Sequence, residues 1–193
     1  MRRAAAVLLL LAAGCEASVP ACPGSAQGTY ELGGVAREAG TTCPFSLAAI
    51  AAAQAEGTVP TIDVPVIVSW LDAGTAALCV QKPMAAPLTG PRTGDAFAVS
   101  VTLASLAIGS CPCPVDLLET ITGTLQRSAG NPSGVTGTLL DHFTRSAGAD
   151  ACYAGADPAT VAAGCPGAPA PSATPPSDGG CDAAWDVASH SAP

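Results

Sequence analysis

From Phe97 onward the chain alternates. Phe97, Val99, Val101 and Leu103 take one parity, and Ala98, Ser100, Thr102 and Ala104 take the other. A period of two predicts a half-buried strand. The phase slips at Leu106 and Ile108, which predicts a bulge near Ala104–Ser105. Ile62, Val64, Val66, Val68 and Trp70 form another alternating run, in which Pro60 and Pro65 point to an edge or bulged strand. Ala76, Leu78 and Val80 make a further run, and Thr29–Val35 a weaker first one.

The stretch Ile121–Leu139 repeats a short phrase: Ile121–Leu125 returns almost unchanged as Val135–Leu139. Val115, Leu117, Ile121 and Leu125 share one parity with Val135, Leu139 and Phe143. The connection Gln126–Gly134 is rich in turn residues and predicts a polar loop. The two runs therefore predict a hairpin. A loop centred on Gly130 sets Ile121 opposite Leu139, Leu125 opposite Val135 and Gly123 opposite Gly137. Facing glycines relieve crowding where a sheet curves or a side chain crosses it. The repeat thus reads as structural, since as a ligand motif it offers only hydroxyls.

Ser46–Glu56 is alanine-rich and stops at Gly57, which favours a short helix at 46–56, although strand neighbours can override that preference. Six or seven short strands with turns between them predict a mainly β fold. The expected form is a small antiparallel β-barrel or sandwich built as a meander.

Composition then sets the boundaries. From Gly155 the chain becomes Ala, Pro, Gly and Ser, so 155–193 reads as a disordered tail. Trp185 and Val187 read as part of a frayed end rather than a docked one. Residues 15–27, with Pro20 and Pro23, read as a tether, leaving 28–154 as the β domain.

The first residues look like a targeting segment. Arg2 and Arg3 precede the uncharged apolar stretch Ala4–Ala13, which is too short to span a bilayer as a helix. Residues 1–14 therefore read as a signal peptide. Leu11-Ala12-Ala13-Gly14-Cys15 resembles a bacterial lipobox, with Leu one place further out than in the best examples. The resemblance implies a diacylglycerol on the Cys15 sulfur and an acyl chain, such as palmitate, on its amine. More than one chain gives stable anchoring to the lipid bilayer. Glu16 is a weaker inner-membrane retention signal than Asp, so the expected destination is the outer membrane of a bacterial cell envelope, on its periplasmic or surface face. The β pattern also resembles the β-rich domains of uncharacterised envelope lipoproteins, a resemblance that implies no activity.

The cysteines agree with export. Setting Cys15 aside leaves Cys22, Cys43, Cys79, Cys111, Cys113, Cys152, Cys165 and Cys181, an even set that reads as disulfides in an oxidising compartment. Cys111 and Cys113 are too far apart in an extended segment to bond each other without strain, so each is expected to bond elsewhere. Cys165 and Cys181 flank the Pro-rich stretch and are candidates to close it into a loop.

After residue 14 the chain keeps five basic and fifteen acidic residues, a side-chain net charge of −10, which argues against nucleic acid as a partner. No hydrolase elbow, zinc-protease helix, phosphate loop or calcium loop is present in the sequence. No catalytic, metal or cofactor residues are assigned. Asp141 and His142 point to opposite strand faces and read as a solvent-facing pair at a strand end. Asp116 and Glu119 also lie on opposite faces. Glu119 shares the core parity, which puts it at the rim or, less favoured, inside a cavity. Trp70 reads as core.

Two function classes follow. One is an envelope lipoprotein with a structural or protein-interaction domain and an envelope protein partner. The alternative is a β-barrel carrier of a small apolar ligand, since closed eight-strand barrels can hold one. A carrier needs an open interior of a few hundred Å³. A structural domain has that space filled.

Overall fold

The computed structural model describes residues 21–58, 61–82, 85–106, 111, 113–155 and 180–190. Cys15 with the rest of 1–20, Cys165 and most of the Pro-rich stretch lie outside the described residues. In chain order the elements are β1 (Ser25–Arg37), α1 (Pro44–Ala55), β2 (Thr61–Trp70), β3 (Thr75–Val80), β4 (Leu88–Thr93), β5 (Ala96–Leu106), β6 (Val115–Ser128), β7 (Asn131–Arg145), α2 (Asp150–Gly155) and β8 (Cys181–His190). Every strand pairs antiparallel with its chain neighbour, and β8 returns to β1, so the sheet closes into a barrel. Closure leaves no unpaired edge, which suits a meander of short connections.

Strand parity decides what fills the barrel. Leu32, Val66, Val68, Leu78, Leu88, Phe97, Val99, Ile121, Leu125, Val135, Leu139 and Val187 are buried in one core. Cys43, Val115, Phe143, Cys181 and Ala183 form another, at the end where β1 leaves and β8 enters. The slip in β5 is present: the register shifts between Leu103 and Leu106, and Ser105 takes a φ of 57°. The Asp116 carboxylate accepts the Ser105 N–H at 2.9 Å and so holds that bend.

The expectation that β2 is an edge or bulged strand is corrected: it lies between β1 and β3. Proline is tolerated because Pro65 sits one residue past the last β2–β3 pair, Val66 with Val80. Its carbonyl accepts the Gln81 N–H at 2.8 Å, so the N–H it lacks faces the point where that ladder ends.

The β6–β7 hairpin has the expected register, including Ile121 with Leu139, Gly123 with Gly137 and Leu125 with Val135. Its loop is far shorter than Gln126–Gly134. The ladder runs on, after a shift past Gln126, to Ser128 paired with Asn131. Ala129 and Gly130 alone make the turn, with φ of 50° and 84°, the positive values that a two-residue hairpin turn needs. The two facing glycines are also explained. A Cβ on Gly123 would lie 3.0 Å from the Phe97 ring, and one on Gly137 would collide with the Thr122 carbonyl.

The largest correction concerns the C-terminal segment. Residues 155–193 are not all tail, because Cys181–His190 is the strand that closes the barrel. Trp185 pairs with Leu139 on one side and Ala36 on the other. Cys181 is bonded to Cys43 rather than to Cys165. Thr41 and Thr42 support the same segment, their hydroxyls accepting the N–H groups of Ala184 and Asp182 at 3.0 and 2.8 Å. The domain therefore begins within the expected tether, at Ser25, and continues to His190. Among the described residues there are eight strands rather than six or seven, and β4 and β8 are the ones the periodicity does not pick out. The helix is present as Pro44–Ala55, close to the expected 46–56.

Cys22–Cys79 and Cys113–Cys152 are two further cross-links, tying the N-terminal segment to β3 and the start of β6 to α2. Cys111 is also disulfide-bonded, and its partner is not Cys113.

Candidate functional site: a carboxylate pair inside the barrel

A cavity of about 250 Å³ lies inside the barrel. Most of its wall is apolar, from Leu32, Val64, Leu78, Ile121 and Leu139 among others. Three charged side chains join this lining: Glu119, Asp141 and Lys82. Lys82 is solvent-exposed, so the cavity reaches the surface beside it.

The carboxylates arrive there by strand parity. On β6, Glu119 follows Val115 and Leu117 and precedes Ile121 on the inward face. On β7, Asp141 sits between Leu139 and Phe143 on the same face. The β6–β7 register sets the two acids directly opposite each other. Like charges in that position repel, being only about 5 Å apart at Cβ. Trp185 on β8 completes the polar end of the cavity.

Both acids hold their protons more tightly than usual. Burial and the neighbouring Glu119 charge push Asp141 up to about 7, partly offset by the Trp185 indole N–H directed at it. Burial also raises Glu119, with Lys82 opposing the shift. The indole falls short of hydrogen-bond geometry: Asp141 Oδ1 and Trp185 Nε1 are both buried without a hydrogen-bond partner. An unmet buried donor and acceptor cost free energy. Arg37 pairs with Asp186, Arg127 with Asp95 and His142 with Asp182, and Lys82 is in none of these contacts.

Two readings of these acids are therefore corrected. Glu119 is an inward carboxylate in a cavity, not a rim residue. Asp141 is not part of a solvent-facing pair. His142 does point the other way, onto the outer wall, where its Nδ1 lies 2.7 Å from Asp182. The parity that Asp141 shares with Leu139 and Phe143 carries this placement in the sequence.

The other singled-out residues are placed elsewhere. Asp116 faces away from Glu119, as expected, and accepts the Ser146 hydroxyl as well as Ser105 N–H. Trp70 packs against the main core with Phe97, their ring centroids 6.2 Å apart. The Arg92 guanidinium covers the Trp70 ring at 4.7 Å, at the end of the barrel away from the acids. A larger hollow of about 580 Å³ lies on the outer wall over Gly123 and Gly137. Its lining is mostly apolar, with Pro91, Ala96 and Phe97 beside Thr122, Thr124 and Thr136. Among the described residues no group of three or more His, Cys, Asp or Glu side chains is placed to hold a metal ion.

Fold and cavity together define a closed eight-strand antiparallel barrel with an acid-lined interior. No protein-family model, curated protein or solved structure matches the chain.

Proposed function

We propose that this protein is a carrier for one small, largely apolar ligand held inside the barrel. The observation that supports this reading is the 250 Å³ cavity lined by inward side chains. A domain acting only by structure or protein contact has no use for that space, and an interior void costs packing energy. The volume is below the usual range for drug-sized ligands and suits a compound of roughly eight non-hydrogen atoms, at about 30 Å³ each.

The carrier works at the cell envelope, tethered to the bilayer through lipidated Cys15. The lipobox-like Leu11–Cys15 supports the anchor, and the disulfides support an oxidising compartment. Only nine residues separate Cys15 from Ser25, which limits how far the barrel can stand from the membrane surface. Cell fractionation tests the anchor: Cys15→Ala should move the protein to the soluble fraction or block its processing, and unchanged membrane partition contradicts the anchor.

The carrier reading is tested by methyl NMR of the oxidised protein titrated with 1-hexanol. Saturable shifts at the methyls of Leu32, Val64, Leu78 and Leu139 are expected. Shifts confined to surface methyls contradict it.

A further inference from the structure

We infer that the ligand is an organic cation, a small amine with an apolar body, whose charged end is received by Glu119 and Asp141. This inference rests on the carrier reading and names the ligand's chemistry. The two carboxylates face each other in a cavity whose remaining wall is mostly apolar, with Lys82 the one cation in its lining. The single lysine of the chain, Lys82, lies at the opening and forms no ion pair with either among the described residues. Asp141 Oδ1 is buried with its acceptor capacity unused.

An ammonium group fits this arrangement in three ways. It supplies an N–H donor for the unmet Asp141 Oδ1, and charge-assisted bonds of that kind are the strong ones. It places positive charge between two groups that otherwise repel. Its carbon body then lies along Leu32, Val64, Leu78 and Ile121. Trp185 also lines the cavity, and an indole ring is a favourable neighbour for a cation. A bare divalent ion fits worse, because only two carboxylates are offered and the remaining wall is hydrocarbon. A carboxylate or phosphate ligand would meet two acids and is disfavoured outright.

The experiment compares 1-hexylamine with 1-hexanol, which have the same heavy-atom count, by calorimetry on the oxidised protein at neutral pH. The amine should bind roughly tenfold or more tightly than the alcohol. In the Glu119→Gln/Asp141→Asn double variant, shown by melting to be folded, the amine should lose that advantage while the alcohol still binds. Equal affinity of the two compounds for the wild-type protein overturns the inference and leaves the carrier reading standing. An amine preference that survives in the double variant overturns it as well. Binding of neither compound overturns the carrier reading and this inference together.

Discussion

Glu119 and Asp141 lie directly across the β6–β7 ladder from each other, both on the face that points into the barrel. The same hairpin register that pairs Ile121 with Leu139 in the core puts them there. An apolar pair at that level would fill the barrel more stably, so the acids act against stability and call for another role. Trade of stability for a binding site is common where buried polar groups await a partner.

The pair predicts a specific pH dependence. Asp141 is raised to about 7 in the folded protein, against about 3.9 for an unfolded aspartate. The folded state thus binds the extra proton, and its stability is greatest below the unfolded value and falls as pH rises through about 7. Glu119, raised too, adds in the same direction, and Lys82 and Trp185 are the groups that oppose the shifts. Asp141→Asn should therefore gain stability relative to wild type between about pH 4 and pH 7. The gain should reach about 1–3 kcal/mol, less than the full rise to about 7 implies because water reaches the cavity at Lys82. Urea unfolding at several pH values measures it. A difference that is flat with pH, or grows toward acid, contradicts the burial of this carboxylate.

Closure of the barrel depends on a cross-link distant in sequence. Cys43–Cys181 spans 138 residues and fastens the start of β8. Replacing both cysteines with alanine should cost about 2–5 kcal/mol. Hydrogen exchange should show Cys181–His190 losing protection well before β6 and β7. Equal protection across those strands would mean that β8 is held by its ladders alone.

The two-residue turn suggests a stabilising substitution. Ala129 adopts a positive φ that alanine disfavours, and Asn is a favoured residue there before glycine. Ala129→Asn should stabilise by up to about 1 kcal/mol and raise Tm by a few degrees. A Gly-Ser insertion after Gly130, harmless in a long loop, should instead destabilise measurably, because it breaks a tight turn between Ser128 and Asn131. Thermal melting of both variants decides this.

The facing glycines differ in what surrounds them. Gly137→Ala drives a methyl into the Thr122 carbonyl, which is backbone and cannot yield, so it should cost more than about 2 kcal/mol. Gly123→Ala meets the Phe97 ring at 3.0 Å and the Thr136 carbonyl at 3.1 Å, a milder approach than that at Gly137. Its cost should be smaller and should be relieved in part by Phe97→Leu, whereas that second change should not relieve Gly137→Ala. Melting of the four variants is the check.

Period two made most of the barrel legible in the sequence. It located β2, β3 and β5, the slip at Ser105 and the register of the repeated hairpin. It could not find β4, where Gly90 and Pro91 leave Leu88 as the one buried apolar side chain. β8 does alternate, through Cys181, Ala183, Trp185 and Val187, but it is short and follows a long Pro-rich stretch. Its place is decided by pairing with β1, far away in the chain. The site was half legible. Glu119 and Asp141 carry the core parity, yet parity cannot distinguish a rim from a lumen until the closure of the sheet is known.

If the ligand sits in the acid-lined lumen, the chain's two tryptophans should respond to it differently. Trp185 lines the cavity beside Asp141, with its indole N–H buried and without a partner. Trp70 lies toward the other end of the barrel, packed on Phe97 beneath Arg92. In a proton–nitrogen correlation spectrum of the oxidised protein, added 1-hexylamine should move the Trp185 indole resonance saturably and leave that of Trp70 in place. A Trp185 resonance that stays fixed, or that drifts together with Trp70 without saturating, would contradict the account.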